Sequence, residues 1–351
     1  MLLVLAMAAG LWAIGWIMGA PKSARWAMIA LLYMAVVGVQ IGFPVEHPLV
    51  IATGGSLAMW LLLGGAVALV LAYSSMLQRL RRRADANQAV QGQEDNAQAL
   101  FSDTELNRYA RHIVLREVGG LGQKKLKDAK VLVVGAGGLG SPVLLYLAAA
   151  GVGRIGVVDD DVVDNSNLQR QVIHKDAAIG TPKVLSAAEA MVAQNPYVEV
   201  VPYPRRLTVE DAEEIIGEYD LVLDGTDNFD TRYLVNEICV AQGKPLISGA
   251  LSQWEGQLSV FDPANGAPCY QCIFPQAPAP GMAPSCAEAG VIGPLPGVVG
   301  TMMAAEAIKV ITGAGAALRG EMMIYDALWG ETRKIGLKPR AACPVCGTGK
   351  S

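Results

Sequence analysis

The chain has 351 residues, of which 52% are apolar and 17% charged, with a net charge of −4. The length allows two or three domains, and the mild acidity, without a Lys/Arg patch interleaved with aromatics, gives no footing for nucleic-acid binding. Such apolarity is unusual for a soluble enzyme. It directs attention to membrane segments.

Residues 2–20 are apolar and uncharged, and further apolar runs cover 26–43 and about 49–73. Lys22 and Arg25 lie between the first two, and a Pro44–Pro48 turn precedes the third. Each run is long enough to cross a bilayer. A cleaved signal peptide is the competing reading of the first, but it lacks a basic n-region and further apolar runs follow. Arg79, Arg81, Arg82 and Arg83 come after the third run. With three spans, both basic groups fall on one side, which the positive-inside rule makes cytoplasmic. The expectation is a multi-pass protein of the inner (cytoplasmic) membrane with a membrane region at 1–75. Its amino terminus is then outside, and everything beyond Arg83 is cytoplasmic. Residues 76–101 read as a basic juxtamembrane segment and a polar linker, with 84–99 a flexible or weakly helical tether.

A further domain covers 102–351. Ser102-x-x-Glu105 predicts a capping box, opening a helix with Leu106, Tyr109, Ile113 and Val114 on one face. The apolar strand Val131–Val134 then ends in Gly135-x-Gly137-x-x-Gly140, with Ser141 as N-cap, Pro142 as first helical residue and a stop at Gly151. Strand, glycine turn and helix N-terminus form a phosphate cradle. Further strands at 155–158, 198–201 and 221–223 alternate with helices, one from about Asp230 to Ala241. This is the pattern of a Rossmann-like, doubly wound, mostly parallel α/β sheet.

Asp159 ends the second strand 24 positions after Gly135, where a carboxylate normally accepts from ribose hydroxyls. To this point a dehydrogenase fits equally well. The stretch from Asp160 to Gln171 adds Asp161, Asn167 and Arg170, a set suited to Mg²⁺ and phosphate and not needed for hydride transfer. In Thr181-Pro182-Lys183 a cation stands in the first turn of a helix, where the dipole disfavours it unless a phosphate intervenes. Asp224-Gly225-Thr226-Asp227-Asn228 follows a strand and puts Asp227 at a sheet edge where ligands bind, as a natural Mg²⁺ ligand. Six cysteines are present: Cys239, Cys269, Cys272, Cys286, Cys343 and Cys346. Cys269-x-x-Cys272 and Cys343-x-x-Cys346 have the spacing of a closed four-thiolate Zn²⁺ site, with redox dithiols the alternative. Cys286 stands alone in a Pro/Gly-rich crossing (274–300), and Cys239 belongs to the core. His47, His112 and His174 form no ligand set.

The motifs at 135–140, 166–171, 181–183 and 224–228, with Trp254-Glu255-Gly256-Gln257, Cys269-Tyr270-Gln271-Cys272 and Ser285-Cys286-Ala287-Glu288-Ala289-Gly290, resemble the adenylating domain of the MoeB/ThiF/HesA family. These are relatives of the ubiquitin-activating enzymes, and the resemblance runs from roughly Tyr109 to Gly347. It implies ATP-dependent activation of the C-terminal glycine of a ubiquitin-like sulfur-carrier protein ending in Gly-Gly, as in molybdopterin or thiamine pathways. It also implies that Gly135, Gly137, Gly138, Gly140 and Asn228 lie at the nucleotide and that Asp159 holds the ribose. Asn167, Arg170 and Lys183 would contact phosphates, and Asp227 would bind Mg²⁺ with support from Asp161. Zinc on the four paired cysteines would be structural. Arg111 matches an arginine that reaches across a homodimer, and Cys286 a cysteine that some relatives use to take an acyl or sulfur group. The membrane runs depart from the family. No rhodanese-like domain precedes the end at Ser351, which implies a separate sulfur donor protein. Three alternatives stand beside this reading: a flavin or nicotinamide oxidoreductase, a relative acting on a non-protein or RNA substrate, and a tethered binding protein without catalysis. The presence of Arg170, Lys183 and Asp227 argues against the first and the last.

Overall fold

Four helices form from the apolar start of the chain: α1 (Leu2–Ile17), α2 (Lys22–Gly42), α3 (Pro48–Ala52) and α4 (Leu57–Gln98). The computed structural model describes residues 2–54, 56–98, 100–279 and 286–347, with the backbone alone at 80–98, 286 and 287. It divides into two units, Met1–Ala99 and Leu100–Ser351.

In the first unit the third apolar run is not one helix from residue 49. It breaks after α3, where Gly54 takes φ +118°, and restarts at Leu57. Two carbonyls at the break, those of Val50 and Thr53, are satisfied by side chains of the same unit. Gln40 donates to the Val50 carbonyl (3.2 Å) and to Thr53 Oγ1 (2.9 Å), and Trp60 Nε1 donates to the Thr53 carbonyl (3.1 Å). Helix α1, at 16 residues, is only about 24 Å long against a hydrocarbon core of about 30 Å. Backbone bonds from Met18 to Ile14 and from Ala20 to Gly15 carry its winding on to Ala20. Helices α2 and α4 are long and apolar enough to cross a bilayer. Helix α4 also continues through the stretch read as a tether, as far as Gln98.

The second unit opens with α5 (Asp103–Ile113) and α6 (Gly119–Asp128), then β1 (Lys130–Val134), α7 (Gly140–Ala150), β2 (Arg154–Val158), α8 (Lys183–Gln194), β3 (Glu199–Tyr203), α9 (Val209–Gly217), β4 (Leu221–Asp224) and α10 (Phe229–Ala241). It continues with β5 (Leu246–Leu251), β6 (Glu255–Phe261), the short α11 (Tyr270–Ile273) and α12 (Cys286–Ala289), α13 (Pro294–Thr312), β7 (Glu321–Asp326) and β8 (Glu331–Gly336). The eight strands form one sheet in the order β3-β2-β1-β4-β5-β6-β7-β8. Strands β1 to β5 pair in parallel, and β6 to β8 are added antiparallel. The chain leaves β1 towards β2 and β3, then returns to place β4 on the other side of β1. That reversal is the switch point at which α/β sheets bind ligands.

Alternation along the strands feeds two cores. Val131 and Val133 face α7, α8 and α13, while Leu132 and Val134 face α9 and α10. Helix α13 is also long and apolar enough to span a membrane, but Leu295, Val299, Met303, Ala304 and Ala307 are buried in the first core. It is a core helix.

The Ser102–Glu105 capping box forms as expected, but the apolar face assigned to α5 forms only in part, at Tyr109 and half-buried Ile113. Leu106 and Val114 are exposed, and the buried residues are Glu105 and Tyr109. Glu105 is neutralised by Lys127 at 2.7 Å, and Tyr109 accepts from buried Asn195 at 2.8 Å. Tertiary partners have overridden the periodicity. Strands β5 to β8 were not read from sequence: β5 (LISGAL) is glycine-interrupted, and every residue of β8 is exposed.

Candidate active site

The C-terminal ends of β1, β2 and β4 open into a cleft of about 780 Å³. Its floor is the glycine turn. Gly135 takes φ +95°, and a Cβ at residue 140 would lie 1.9 Å from the Gly135 carbonyl oxygen, so only glycine lets α7 approach this closely. Helix α7 starts two residues earlier than expected, at Gly140. Ser141 is therefore not the N-cap, and its hydroxyl donates back to the Gly137 carbonyl at 2.8 Å.

Ala136 is pinned from both sides. Its N–H donates to Asp159 Oδ2 (2.7 Å), and its carbonyl accepts from His174 Nε2 (3.0 Å). A carbonyl can only accept, so Nε2 carries the proton and Nδ1 accepts from the Ser186 hydroxyl at 3.0 Å. His174, which no sequence pattern marked, thus ties the glycine loop to α8. Burial lowers its pKa, and the nearby Lys183 charge adds to this against the Ala136 bond. Burial likewise raises Asp159, against Lys183 and two N–H bonds.

Arg170, Lys183, Asp227, Asn228, Asp159, Asp161, Gly135, Gly137 and Gly138 all line this cleft. Lys183 is the first residue of α8, with Pro182 and not Thr181 at the N-cap. Its buried ammonium meets Asp161 Oδ2 at 2.7 Å, so Asp161 is a counter-ion to Lys183, and its carboxylate also lies with those of Asp159 and Asp160 in a group that could hold a cation. Arg170 donates to the Ser166 carbonyl (3.2 Å) and to Asn167 Oδ1 (3.1 Å). Asn167 is not on the cleft wall and acts here by orienting Arg170. Asp227 is exposed, with no hydrogen-bond partner among the described residues. Asn228 caps α10 by accepting from Thr231 N–H at 3.0 Å.

Arg111 is exposed on α5 and is not part of this cleft's lining. Gly140 does not line the cleft either and acts through packing. The backbone of Cys286 opens α12, while its side chain lies outside the described residues. Sequence reasoning missed Gln171, Arg205, Arg206 and Arg232 on the lining, and an aromatic wall of Tyr233, Tyr270 and Phe274. Arg232 had a usable signal: like Lys183, it is a cation in the first turn of a helix.

The cysteine pairs do meet. Sγ separations are 3.8 Å (Cys269–Cys272), 3.6 Å (Cys269–Cys343) and 3.3 Å (Cys272–Cys346), and all four sulfurs lie within 4.8 Å of one another. These exceed the roughly 2.05 Å of a disulfide. They approach the roughly 3.8 Å edge of a tetrahedron with metal–sulfur bonds of about 2.3 Å. Four soft sulfur donors in that arrangement fit zinc. Burial opposes ionisation of Cys343, but N–H groups of Cys346 and Val345 and the facing thiols outweigh it and bring it down to about 6. Cys239 is a core residue, its thiol pushed up to about 12 by burial.

The sequence profile of the ThiF family matches residues 109–345. The chain belongs to the ThiF family. It is 54% identical over 251 residues to the sulfur carrier protein adenylyltransferase of Thermus thermophilus, covering 70% of this chain and 93% of that protein. Over 246 residues it is 48% identical to the SAMP-activating enzyme E1 of Haloferax volcanii, covering 70% and 90%. It is 51% identical over 247 residues to the probable adenylyltransferase/sulfurtransferase MoeZ of Mycobacterium tuberculosis, covering 70% and 63%. Among solved structures, MccB of E. coli with MccA-N7isoASN shares the fold, with a TM-score of 0.62 at 24% identity over 70% of this chain and 76% of that one.

Between pH 7.5 and 5.5 the protein should lose stability, in part through His174. Its folded pKa is depressed, so the unfolded chain binds the proton first as pH falls through about 6.5, and the stability from the neutral ring is lost in that window. The melting temperature of His174→Gln should fall less steeply across it. An identical slope would remove His174 from the acid response.

Proposed function

We propose that this chain uses ATP to adenylate the C-terminal glycine of a ubiquitin-like sulfur-carrier protein. The observation that carries the reading is the joining of Arg170, Lys183 and Asp227 on one cleft over the glycine loop. A sulfur carrier protein adenylyltransferase, at 54% identity over 93% of its length, supports it. A carboxylate oxygen of the carrier attacks the α-phosphorus, the bond from that phosphorus to the bridging oxygen breaks, and pyrophosphate leaves. Two anions are brought together, so the protein must supply fixed positive charge and donors and little covalent chemistry. Lys183 and Arg170 supply charge, the N–H groups of the glycine loop and α7 face the phosphates, and Asp159 accepts from the ribose. Asp227 fits Mg²⁺, being an exposed oxygen donor with no partner among the described residues, whereas Asp160 and Asp161 are paired with Arg206 and Lys183. Mg²⁺ bound there would neutralise phosphate charge. An oxidoreductase reading has no use for these groups.

Three further parts belong to the proposal. Arg111, outside this chain's cleft, would serve the cleft of a second copy in a homodimer. Cys286 would act as a thiol after the adenylate forms. Helices α1, α2 and α4 would anchor the protein in the inner membrane with the catalytic unit in the cytoplasm, sulfur coming from a separate donor protein. Support for the anchor is the outward face of these helices, where Trp16, Leu62 and Leu69 stand about 70% exposed (69%, 71% and 71%). In water such a surface would drive aggregation.

The full chain, purified in detergent, should exchange labelled pyrophosphate into ATP only when a Gly-Gly carrier is present. Asp227→Asn should reduce this by about 10²–10³-fold, while Cys286→Ala retains exchange and loses the transfer that follows. NADH oxidation without ATP would refute the reading.

Elemental analysis should give one zinc per chain, held by Cys269, Cys272, Cys343 and Cys346. Chelation should lower the melting temperature. Metal-free protein of unchanged stability counts against the site.

Topology reporters should place Met1 outside and Ser351 in the cytoplasm. Both ends on one side would mean that α1 does not span.

A further inference from the structure

Asp227 makes no hydrogen bond of its own among the described residues, so its direction is set by the backbone that carries it. The segment from Gly225 to Asn228 is held at its start by Asp224. One carboxylate oxygen there accepts from the Thr226 N–H (3.0 Å) and from the Thr226 hydroxyl (2.7 Å). At its end Asn228 caps α10. Between them the carbonyl of Thr226, on the peptide that leads into Asp227, accepts from Arg232 Nη2. The same nitrogen donates to the Gly249 carbonyl at 2.7 Å, and Nη1 donates to Ser248 Oγ at 2.9 Å. Ser248 in turn donates to Asp224 at 3.2 Å, and Arg232 and Asp224 face each other at 3.6 Å with side chains 5% and 1% exposed.

We propose that Arg232 is a positioning residue: its guanidinium clamps the Thr226–Asp227 peptide to β5 at Ser248 and Gly249 and so aims Asp227 into the cleft. The fork is the reason for arginine. Three acceptors, two on β5 and one on the loop, lie in reach of one planar, always-charged group, which an ammonium cannot span. Burial of the pair makes the clamp stiff, because releasing either partner would leave a charge without compensation. Arg232 also overcomes its place in the first turn of α10, where the helix dipole opposes a cation. Asp224 supplies the opposing charge. The role for Mg²⁺ rests on the reading of Asp227 given above; the clamp itself does not.

Arg232→Lys in the full detergent-solubilised chain keeps the charge beside Asp224 and removes the fork. Amide hydrogen exchange should accelerate about tenfold across residues 225–229, the scale of one lost charged hydrogen bond, with β1 unchanged. Half-maximal Mg²⁺ for carrier-dependent pyrophosphate exchange should rise by a similar factor, while metal-free ATP binding stays within about twofold. Unchanged amide exchange together with an unchanged Mg²⁺ midpoint would overturn the clamp. Loss of metal-free ATP binding would also overturn it, since Arg232 would then touch the nucleotide directly. If Arg232→Lys does not fold, Ser248→Ala removes one acceptor, and the same shifts should appear at smaller size; none would overturn the proposal. If the wild type exchanges no pyrophosphate at all, the functional reading fails, and amide exchange alone decides the clamp.

Discussion

Backbone closeness at the glycine turn sets the geometry of the catalytic unit. With 1.9 Å between a would-be Cβ at residue 140 and the Gly135 carbonyl, any side chain there would lift α7 off the end of β1. The contact propagates. A Cβ at Gly300 of α13 would meet the Leu139 carbonyl at 2.4 Å and Pro142 at 2.5 Å, and Pro296 of α13 stands 3.1 Å from a Cβ at Gly138. Strand, turn, α7 and α13 are therefore stacked through positions that tolerate little enlargement, and dense packing transmits a shift at one to the others. The aim of the α7 dipole into the cleft follows from this stacking and not from a capping side chain.

Charge in the cleft is arranged in two tiers. At the base, Lys183 and Arg232 are buried and held by Asp161 and Asp224. At the rim, Arg205 and Arg206 are largely exposed and paired with Asp211 and Asp160 at 3.5 Å and 3.2 Å. The rim pairs are screened by water and contribute little. Lys183 is the fixed positive charge that a bound phosphate would meet without reorganisation, while the Arg232 fork is taken up by Ser248, two carbonyls and Asp224. His174 and Asp159 serve the same end by holding Ala136 between them, one at its carbonyl and the other at its N–H.

Much of this was legible in the residues. The glycine turn, the β1–β4 strands, Lys183, Arg170 and Asp227 follow from local patterns whose physical reason is local: a tight turn, an apolar run, a cation misplaced in a dipole. What stayed hidden depends on partners distant in sequence. Asp161 pairs with Lys183, 22 residues on, a contact that no local pattern shows. Glu105 turns inward on α5 because it finds Lys127, also 22 residues away. Helix α13 has the composition of a span and is claimed by the core. Arg232 was legible by the dipole argument that singled out Lys183, but its acceptors on β5 were not.

The four-thiolate cluster and the cleft share a wall. Cys269 and Cys272 flank Tyr270, whose ring packs against Tyr233, Phe261 and Phe274 at 5.5, 5.6 and 4.8 Å between centroids and lines the cleft. Its N–H is held by Asn236 of α10 at 2.9 Å, six residues beyond the Asp227–Asp230 turn. From the other side, the backbone N–H of Arg340 donates to Cys272 Sγ at 3.4 Å, so the chain's last segment is bound to the same short helix. Helix α11 has four residues, far fewer than the 12 or so needed for helix stability of its own. Its shape must come from the sulfurs on one side and the aromatic cluster on the other. A metal closing the sulfur side would therefore fix Tyr270 as well, and the segment around Arg340 takes part in shaping the aromatic wall of the cleft.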